Sequence, residues 1–239
     1  MQRERGEVYR LLAVDPAARP RDLKPGLEAY GKALELDPRD AYSLVGRAKL
    51  HAWLGAPKKA IDDLLPAIKL NRDAVKDAPS ARVTQRLNTE CADIYFHLGK
   101  AQAALGNHDK AIGEFDRALE TCSRFDDKPL RTQIREERGL SHLQLKQPDK
   151  AVEDFDDALD LNRNNARAHA FKGYALHLLK RNDQAKPLLA DAIILSNQQW
   201  GWPYLARSLA NRAIGLLKEE EADRLKAKQL GCTVLFPVR

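Results

Sequence analysis

The segment from Gly26 to Ala33 has the glycine and lysine spacing of a nucleotide-binding P-loop. That loop requires a preceding strand, free backbone amides around the phosphates, and a Ser or Thr for magnesium. Here Ala33 occupies the place of the hydroxyl residue, and the pattern around the segment is helical. We therefore expect Lys32 to bind no nucleotide, and we predict no cofactor for this chain.

Histidines and carboxylates are the other residues that could support chemistry. No HExxH or paired-ligand spacing joins the six histidines, and the sequence lacks GxSxG and dinucleotide-binding glycine patterns. The neighbouring carboxylates Asp62-Asp63, Glu153-Asp154 and Asp156-Asp157 are expected on solvated helix faces. The sequence thus predicts no catalytic residue, no metal site and no enzyme activity. The histidines are His51, His97, His108, His142, His169 and His177.

Three cysteines, Cys91, Cys122 and Cys232, show no CxxC spacing. Their odd number and separation indicate free thiols in a reducing compartment. Cys91 and Cys122 fall where two antiparallel helices would meet, and we interpret them as structural thiols rather than a redox pair. No stretch reaches the roughly 18 apolar residues that span a membrane, and the first ten residues lack a signal-peptide core. We expect a soluble cytoplasmic protein without membrane insertion.

The composition favours helices. Hydrophobic residues make up 44% of the 239 positions and charged residues 31%, with Ala, Leu, Lys, Arg, Glu and Asp dominant. Runs of alternating Val, Ile and Thr, which are typical of strands, are nearly absent. The net charge of +6 is a mild excess, densest from Arg163 to Lys186. Without a basic run or an aromatic-interleaved patch, nucleic acid is not the expected partner.

An internal repeat organises the chain. Small and large residues recur with one spacing five times, and Ala33 to Ala67 and Ala158 to Ala192 are each 34 residues apart. The landmarks are Tyr30, Ala33 and Leu34; Ala60, Leu64, Ala67 and Ile68; Ala111, Phe115, Ala118 and Leu119; Ala151, Phe155, Ala158 and Leu159; and Ala185, Leu189, Ala192 and Ile193.

This pattern resembles the tetratricopeptide repeat (TPR) family, whose period is 34 residues. The segment 92–125 fits best, because Tyr95, Leu98, Gly99, Phe115 and Ala118 are all in the expected places. The resemblance implies an all-α fold, a right-handed superhelical solenoid of antiparallel helix pairs. It implies a single domain over 1–239, with five repeats at about 7–40, 41–74, 92–125, 132–165 and 166–199. A helical cap over 200–232 and an extended tail over 233–239 would follow.

The physical basis of the pattern is close helix packing. Glycine in the middle of a helix costs roughly 1 kcal/mol relative to alanine, so Gly99, Gly139 and Gly173 indicate places where another helix comes too close for a side chain. Ala48 occupies the same place in its own repeat. The large side chains expected to fill the adjoining space are Leu64, Phe115, Phe155 and Leu189.

Two insertions and both ends depart from the period. We predict that Ser80 caps a long helix starting near Ala81, and that Asp127 to Leu130 starts another. Residues 3–13 are predicted to be helical. Residues 200–203 are predicted to form a turn, followed by helices over 204–217 and 218–230, or by one kinked helix.

The resemblance implies that the first helix of each repeat lines a concave groove for a peptide or partner helix. The sequence then predicts a protein-protein interaction scaffold or adaptor, with exposed Phe171 and Tyr174 as the main anchors. The Asn pair of the subtype that clamps a terminal carboxylate is missing. The predicted partner-binding residues are Tyr42, Lys49, Trp53, Asp93, His97, Lys100, Glu136, Glu137, Arg167, Phe171, Tyr174 and His177.

Two other hypotheses stay open at this point. The chain is a self-assembling structural protein if the array ends or the apolar tail over 233–239 join molecules into a homo-oligomer. It is an RNA-binding protein if the basic fifth repeat, 166–199, contacts phosphates.

Overall fold

A computed structural model describes residues 23–122 and 127–233 of the chain, and the regular secondary structure of these residues is entirely helical. Within these ranges there are eleven helices. They are α1 (Lys24–Leu36), α2 (Ala41–Trp53), α3 (Pro57–Lys76), α4 (Ala81–Ala104), α5 (His108–Cys122), α6 (Lys128–Gln144), α7 (Pro148–Leu161), α8 (Ala166–Leu178), α9 (Asn182–Leu195), α10 (Gly201–Ala213) and α11 (Leu217–Gln229).

The chain divides into two compact bodies, an N-terminal body (Met1–Asp126) and a C-terminal body (Asp127–Arg239). In the N-terminal body α2 pairs with α3, and α4 pairs with α5. In the C-terminal body the pairs are α6 with α7, α8 with α9, and α10 with α11. We call the earlier helix of each pair the first helix and the later one the second helix. The predicted all-α architecture of helix pairs is confirmed, whereas the repeat bounds and the single domain stay predictions.

Small residues on the first helices meet large ones on the second helices. A Cβ atom added to Gly99 would lie 2.5 Å from Cε1 of Phe115, and one added to Gly139 would lie 2.9 Å from the ring of Phe155. At Gly173 the same atom would lie 2.7 Å from Cγ of Leu189. Such distances leave no room for a side chain, so the predicted role of these glycines is confirmed.

The alanines of the second helices make the complementary close contact. All of them are fully buried, and so are the large side chains between them. Each helix pair thereby contributes to a continuous apolar core within its body. These alanines are Ala60, Ala67, Ala111, Ala118, Ala151, Ala158, Ala185 and Ala192.

The two predicted helix starts in the insertions are confirmed. The Ser80 side chain accepts a hydrogen bond from the Val83 amide at 3.4 Å, at the start of the 24-residue α4. The Asp127 carboxylate accepts one from the Leu130 amide at 3.0 Å, at the start of α6. Both side chains satisfy an amide that has no partner within its own helix.

One predicted turn is helical. Residues 200–203 were expected to form a turn, but α10 already begins at Gly201. Proline is accepted in the first helical turn because its nitrogen has no helical partner there, so Pro203 does not stop the helix. The segment that resembles a P-loop lies inside α1, as expected. Residues 3–13 and 234–239 lie outside the described part of the chain.

A second contact joins the members of three helix pairs, and we call it the Arg–Asp clasp. Arg47 donates to Asp63 at 2.9 and 2.6 Å. Arg138 donates to Asp154 at 3.0 Å. Arg207 donates to Asp223 at 2.9 and 2.7 Å. In each clasp the arginine is on the first helix and the aspartate follows sixteen residues later on the second.

A third polar residue approaches each clasp from the first helix. His51 lies 4.0 Å from Asp63, and His142 lies 3.7 Å from Asp154. The amide of Asn211 donates to Asp223 at 2.9 Å. A bidentate arginine with a further polar neighbour compensates a buried carboxylate for its lost hydration.

The expectation that the paired carboxylates are solvated is wrong for Asp63 and Asp154, which are 5% and 1% exposed. Their arginine partners explain why they can be buried. Asp62 and Glu153 are exposed as expected. Asp156 and Asp157 are half-exposed and pair with Lys172 and Arg135. His51 and His142 lie beside these two buried carboxylates.

Replacing Gly99 with alanine should destabilise the protein by about 1–3 kcal/mol, because the methyl group overlaps the Phe115 ring. The matched control is Gly113→Ala in α5, where an added Cβ meets nothing within 4 Å. That change should stabilise the protein by about 0.5–1 kcal/mol through helix propensity. Urea unfolding followed by circular dichroism measures both. Equal effects of the two substitutions would contradict the close approach.

Replacing Asp154 with asparagine should destabilise the protein by about 2–3 kcal/mol. Losing one partner of a buried ion pair costs about 3–5 kcal/mol, and the partial solvent access of Arg135 and Arg138 reduces that figure. Asp160→Asn on the exposed side of the same helix is the control, with an expected change within about 0.5 kcal/mol. Equal unfolding midpoints for the two variants would show that the clasp does not stabilise the pair.

Candidate protein-binding faces

In the N-terminal body the first helices α2 and α4 lie in contact and present what we call the N-terminal face. Tyr42, Lys49 and Trp53 fall on one stripe of α2 because their spacings follow the helical period. The ends of the stripe are exposed, with Tyr42 48% and Trp53 51% accessible. Half-exposed aromatic side chains are a common feature of protein-binding surfaces.

The centre of this face is an ionic cluster between α2 and α4. Nζ of Lys49 donates to Asp93 at 2.6 Å, and Nε2 of His97 lies 3.4 Å from the other oxygen of Asp93. Burial alone would raise the pKa of Asp93, but His97 and Lys49 outweigh it and hold that pKa well below its usual range. Burial lowers the pKa of His97, against the opposing effect of Asp93. Lys49, Asp93 and His97, all predicted to contact a partner, therefore form ionic contacts with one another.

Lys100 is exposed beside this cluster on α4. Its ammonium group lies 5.3 Å from the centre of the Phe96 ring, at cation-π distance. The ring itself is buried. Lys100 thus presents its charge to solvent while its stem covers the apolar core.

In the C-terminal body the first helices α6, α8 and α10 present what we call the C-terminal face. Arg167 on α8 reaches back to α6, with Nε 3.2 Å from Glu136 and Nη2 3.1 Å from Glu137. The Asn165 amide also donates to Glu136. Burial raises the pKa of Glu136, against the opposing effects of Asn165 and Arg167. These predicted residues also form contacts between helices.

The expectation that Phe171 is exposed is wrong, because it is buried at 9%. Its ring lies 6.0 Å from Phe155, 4.7 Å from Trp202 and 6.0 Å from Trp200. Phe171 is a core residue, since neighbouring helix pairs within this body close over it. Tyr174 is partly buried, 5.5 Å from Trp202. His177 also lies on this face, with Nδ1 2.7 Å from the side-chain oxygen of Asn182.

The sequence interpretation missed Trp200 and Trp202 as members of this face. They stack at 5.8 Å and contact α8 through Phe171. Their placement in a predicted turn concealed them. The Arg–Asp clasps were missed as well, although their constant sixteen-residue spacing was a readable signal.

Neither face has an arrangement suited to metal binding. Among residues 23–122 and 127–233, no group of three His, Cys, Asp or Glu side chains is placed to hold a metal ion. None of the helices in the described part of the chain is both long and apolar enough to cross a membrane. What the two faces offer is shape, aromatic surface and charge.

Comparison with protein families gives two matches. A family model described as "Tetratricopeptide repeat" matches residues 90–164, and a second model of the same description matches residues 136–199. Together these ranges contain most of α4 and all of α5 to α9, including all three close-packed glycines.

Two curated proteins are similar to this chain in sequence. The DnaJ homolog subfamily C member 7 homolog of Schizosaccharomyces pombe is 25% identical over 194 residues, which cover 81% of this chain and 38% of the relative. The Hsp70-Hsp90 organizing protein of Triticum aestivum is 28% identical over 166 residues, which cover 63% of this chain and 28% of the relative. The chain thus spans well under half the length of these relatives.

Among solved structures, pilF of Pseudomonas aeruginosa is similar over nearly the whole chain. The TM-score is 0.68 at 20% identity, and the match covers 96% of this chain and 93% of that chain. At this identity the likeness shows the fold alone.

The partly buried histidines of the N-terminal body should make its stability pH-dependent. Burial lowers the pKa of His51, His97 and His108, so below the ordinary histidine pKa of about 6.5 the unfolded chain binds more protons than the folded one. The free energy of unfolding should therefore fall as the pH drops from 7.5 to 5.5.

The His97→Gln variant tests how much His97 contributes to this pH dependence. Urea unfolding at the two pH values should show a smaller loss for the variant than for the wild type. Asp93 does not contribute in this window, because its lowered pKa removes stability only below about pH 4. Identical losses for variant and wild type would contradict the assignment to His97.

Proposed function

The chain belongs to the tetratricopeptide repeat family, and from this premise we propose that it is a non-catalytic adaptor. It binds a peptide segment or a helix of a partner protein along the faces of its first helices. Recognition of a helix or strand in a groove needs apolar anchors at fixed spacing with polar groups between them. The N-terminal face has this arrangement.

The observation that carries the proposal is the pair of half-exposed aromatic side chains on α2. Tyr42 and Trp53 are eleven residues apart, which is about 16 Å along a helix axis. An extended peptide covers that distance with about five residues, at about 3.3 Å each. A docked helix covers it in about three turns. Trp and Tyr are also enriched among the residues that dominate binding energy.

The ionic cluster between these aromatics fits an adaptor better than a charged clamp. Lys49 is already held by Asp93 at 2.6 Å, so its charge is largely compensated. The name of the Triticum aestivum relative says that it organizes Hsp70 and Hsp90. The Asn pair expected of a terminal-carboxylate clamp is missing from this chain, and we therefore propose recognition of an internal segment.

The two rival hypotheses have less support. Self-assembly through the tail depends on residues 233–239, of which the structure describes Thr233 alone. RNA binding through the fifth repeat would need ring faces free to stack on bases, but Phe171 is in the core. The double change of Phe171 and Tyr174 to alanine would accordingly report on stability rather than on a partner.

The adaptor proposal predicts that the double variant Tyr42→Ala/Trp53→Ala binds a partner protein more weakly than the wild type does. Affinity capture from native lysate with the wild-type chain supplies candidate partners, and each purified candidate is then titrated against the variants. Loss of two aromatic anchors should weaken binding at least about tenfold. The measurement is the dissociation constant by calorimetry.

The matched control is Leu36→Ala/Leu65→Ala, which removes two exposed apolar side chains from α1 and α3, outside the first helices. This variant should bind as the wild type does. Equal affinity of both double variants, with circular dichroism unchanged, would reject the N-terminal face. Capture that disappears after ribonuclease treatment would favour the RNA hypothesis instead.

A further inference from the structure

We infer that the C-terminal face binds an acidic, internal segment of a partner protein that carries an aromatic or aliphatic anchor. This inference shares with the proposed function the idea that first helices present binding faces. It concerns different helices, different residues and a stated partner chemistry, so it can fail while the N-terminal face stands.

The first observation is a separation of charge between helices of the C-terminal body. The first helices α8 and α10 contain four basic residues and no acidic one. The second helix α7 contains six acidic residues and one lysine. The basic helices α8 and α10 therefore attract a negatively charged partner and repel a positively charged one.

The second observation concerns which cations of this body could pair with a partner protein. Within α8 and α10, Lys172 pairs with Asp156, and Arg207 pairs with Asp223. The two glutamates of α6 on this face are held by Arg167. Among the described residues no carboxylate pairs with Arg163, before α8, or with Arg212, near the end of α10, and both side chains are exposed. Lys180, after α8, is likewise exposed and has no carboxylate partner in the described chain.

The third observation is an apolar surface formed by α8 and the start of α10. Trp200 stacks on Trp202 with an interplanar angle of 20° and is partly exposed. Tyr174 is partly exposed beside Trp202, and Leu178 at the end of α8 is 44% accessible. A buried aromatic layer beneath partly exposed rings gives a rigid anchoring surface, because the rings have little freedom left to lose on binding.

The same features favour a peptide over RNA. Base stacking needs open ring faces, with a contribution of about 1–3 kcal/mol per base. Here Phe171 and Trp202 are buried, and one face of Trp200 is covered by Trp202. Arg163 precedes α8 and Lys180 follows it, so these two cations are separated by the length of that helix and do not form the continuous line that a phosphate backbone would follow. An acidic segment with an apolar anchor is complementary to these exposed cations and partly exposed rings.

The test uses the full chain with Trp53→Phe, so that fluorescence reports on Trp200 and Trp202 only. The probe is a twelve-residue peptide, acetylated and amidated, with five glutamates on each side of a central Leu-Phe anchor. Binding should change the tryptophan emission with a measurable dissociation constant. Arg163→Gln/Arg212→Gln should weaken it at least about fivefold, as expected for two partly screened charge pairs.

Lys150→Gln/Arg224→Gln is the matched control, since it removes two exposed cations from second helices of the same body. It should leave the affinity unchanged, and the same peptide with lysines in place of glutamates should not bind. Equal weakening by both double variants, binding of the lysine peptide, or absence of binding up to about 1 mM would overturn the inference. Displacement of the acidic peptide by a twelve-residue oligouridine at lower concentration would overturn it in favour of RNA.

The Tyr42→Ala/Trp53→Ala variant separates this test from that of the adaptor proposal, because it leaves the C-terminal face intact. Its affinity for the acidic peptide, measured by calorimetry, should equal that of the wild type.

Discussion

Close approach of paired helices is the constraint on which the structure depends. An aromatic ring or a leucine occupies the space where the first helix has no side chain, as Phe115 does at Gly99 and Leu189 does at Gly173. The fully buried alanines of the second helix complete the contact. Because protein interiors transmit any change of volume to their neighbours, this contact determines how near the two helices lie and which residues of the first helix reach solvent.

The faces left to solvent are not simply collections of available charges. Lys49 is bonded to Asp93, and Arg167 is bonded to Glu136 and Glu137, so polar groups on adjacent first helices hold these helices to each other. A partner therefore meets surfaces whose central charges are already compensated. What remains for recognition is aromatic surface, such as that of Trp53 and Trp200, together with exposed cations such as Arg163 and Arg212.

The apolar framework could be predicted from the sequence because one type of contact recurs with a constant spacing. The capped helix starts at Ser80 and Asp127 were equally predictable, since capping depends on local residues. Burial of Phe171 was not, because it depends on Trp200 and Trp202, some thirty residues away in an irregular part of the pattern. The ion pairs on the two faces could not be predicted for a similar reason, because they join side chains from different helix pairs.

The Arg–Asp clasp repeats at twice the interval of the apolar contact. It joins α2 to α3, α6 to α7 and α10 to α11, whereas in the pair α8/α9 the equivalent residue Lys172 bonds to Asp156 of the preceding pair. Among the described helix pairs, those that are clasped internally thus alternate with those that are not. If one helix pair is inserted into or removed from the interior of such an array, two pairs of the same kind become sequence neighbours. An internal change by two adjacent pairs keeps the alternation. Judged by its polar contacts, the described array repeats every two helix pairs.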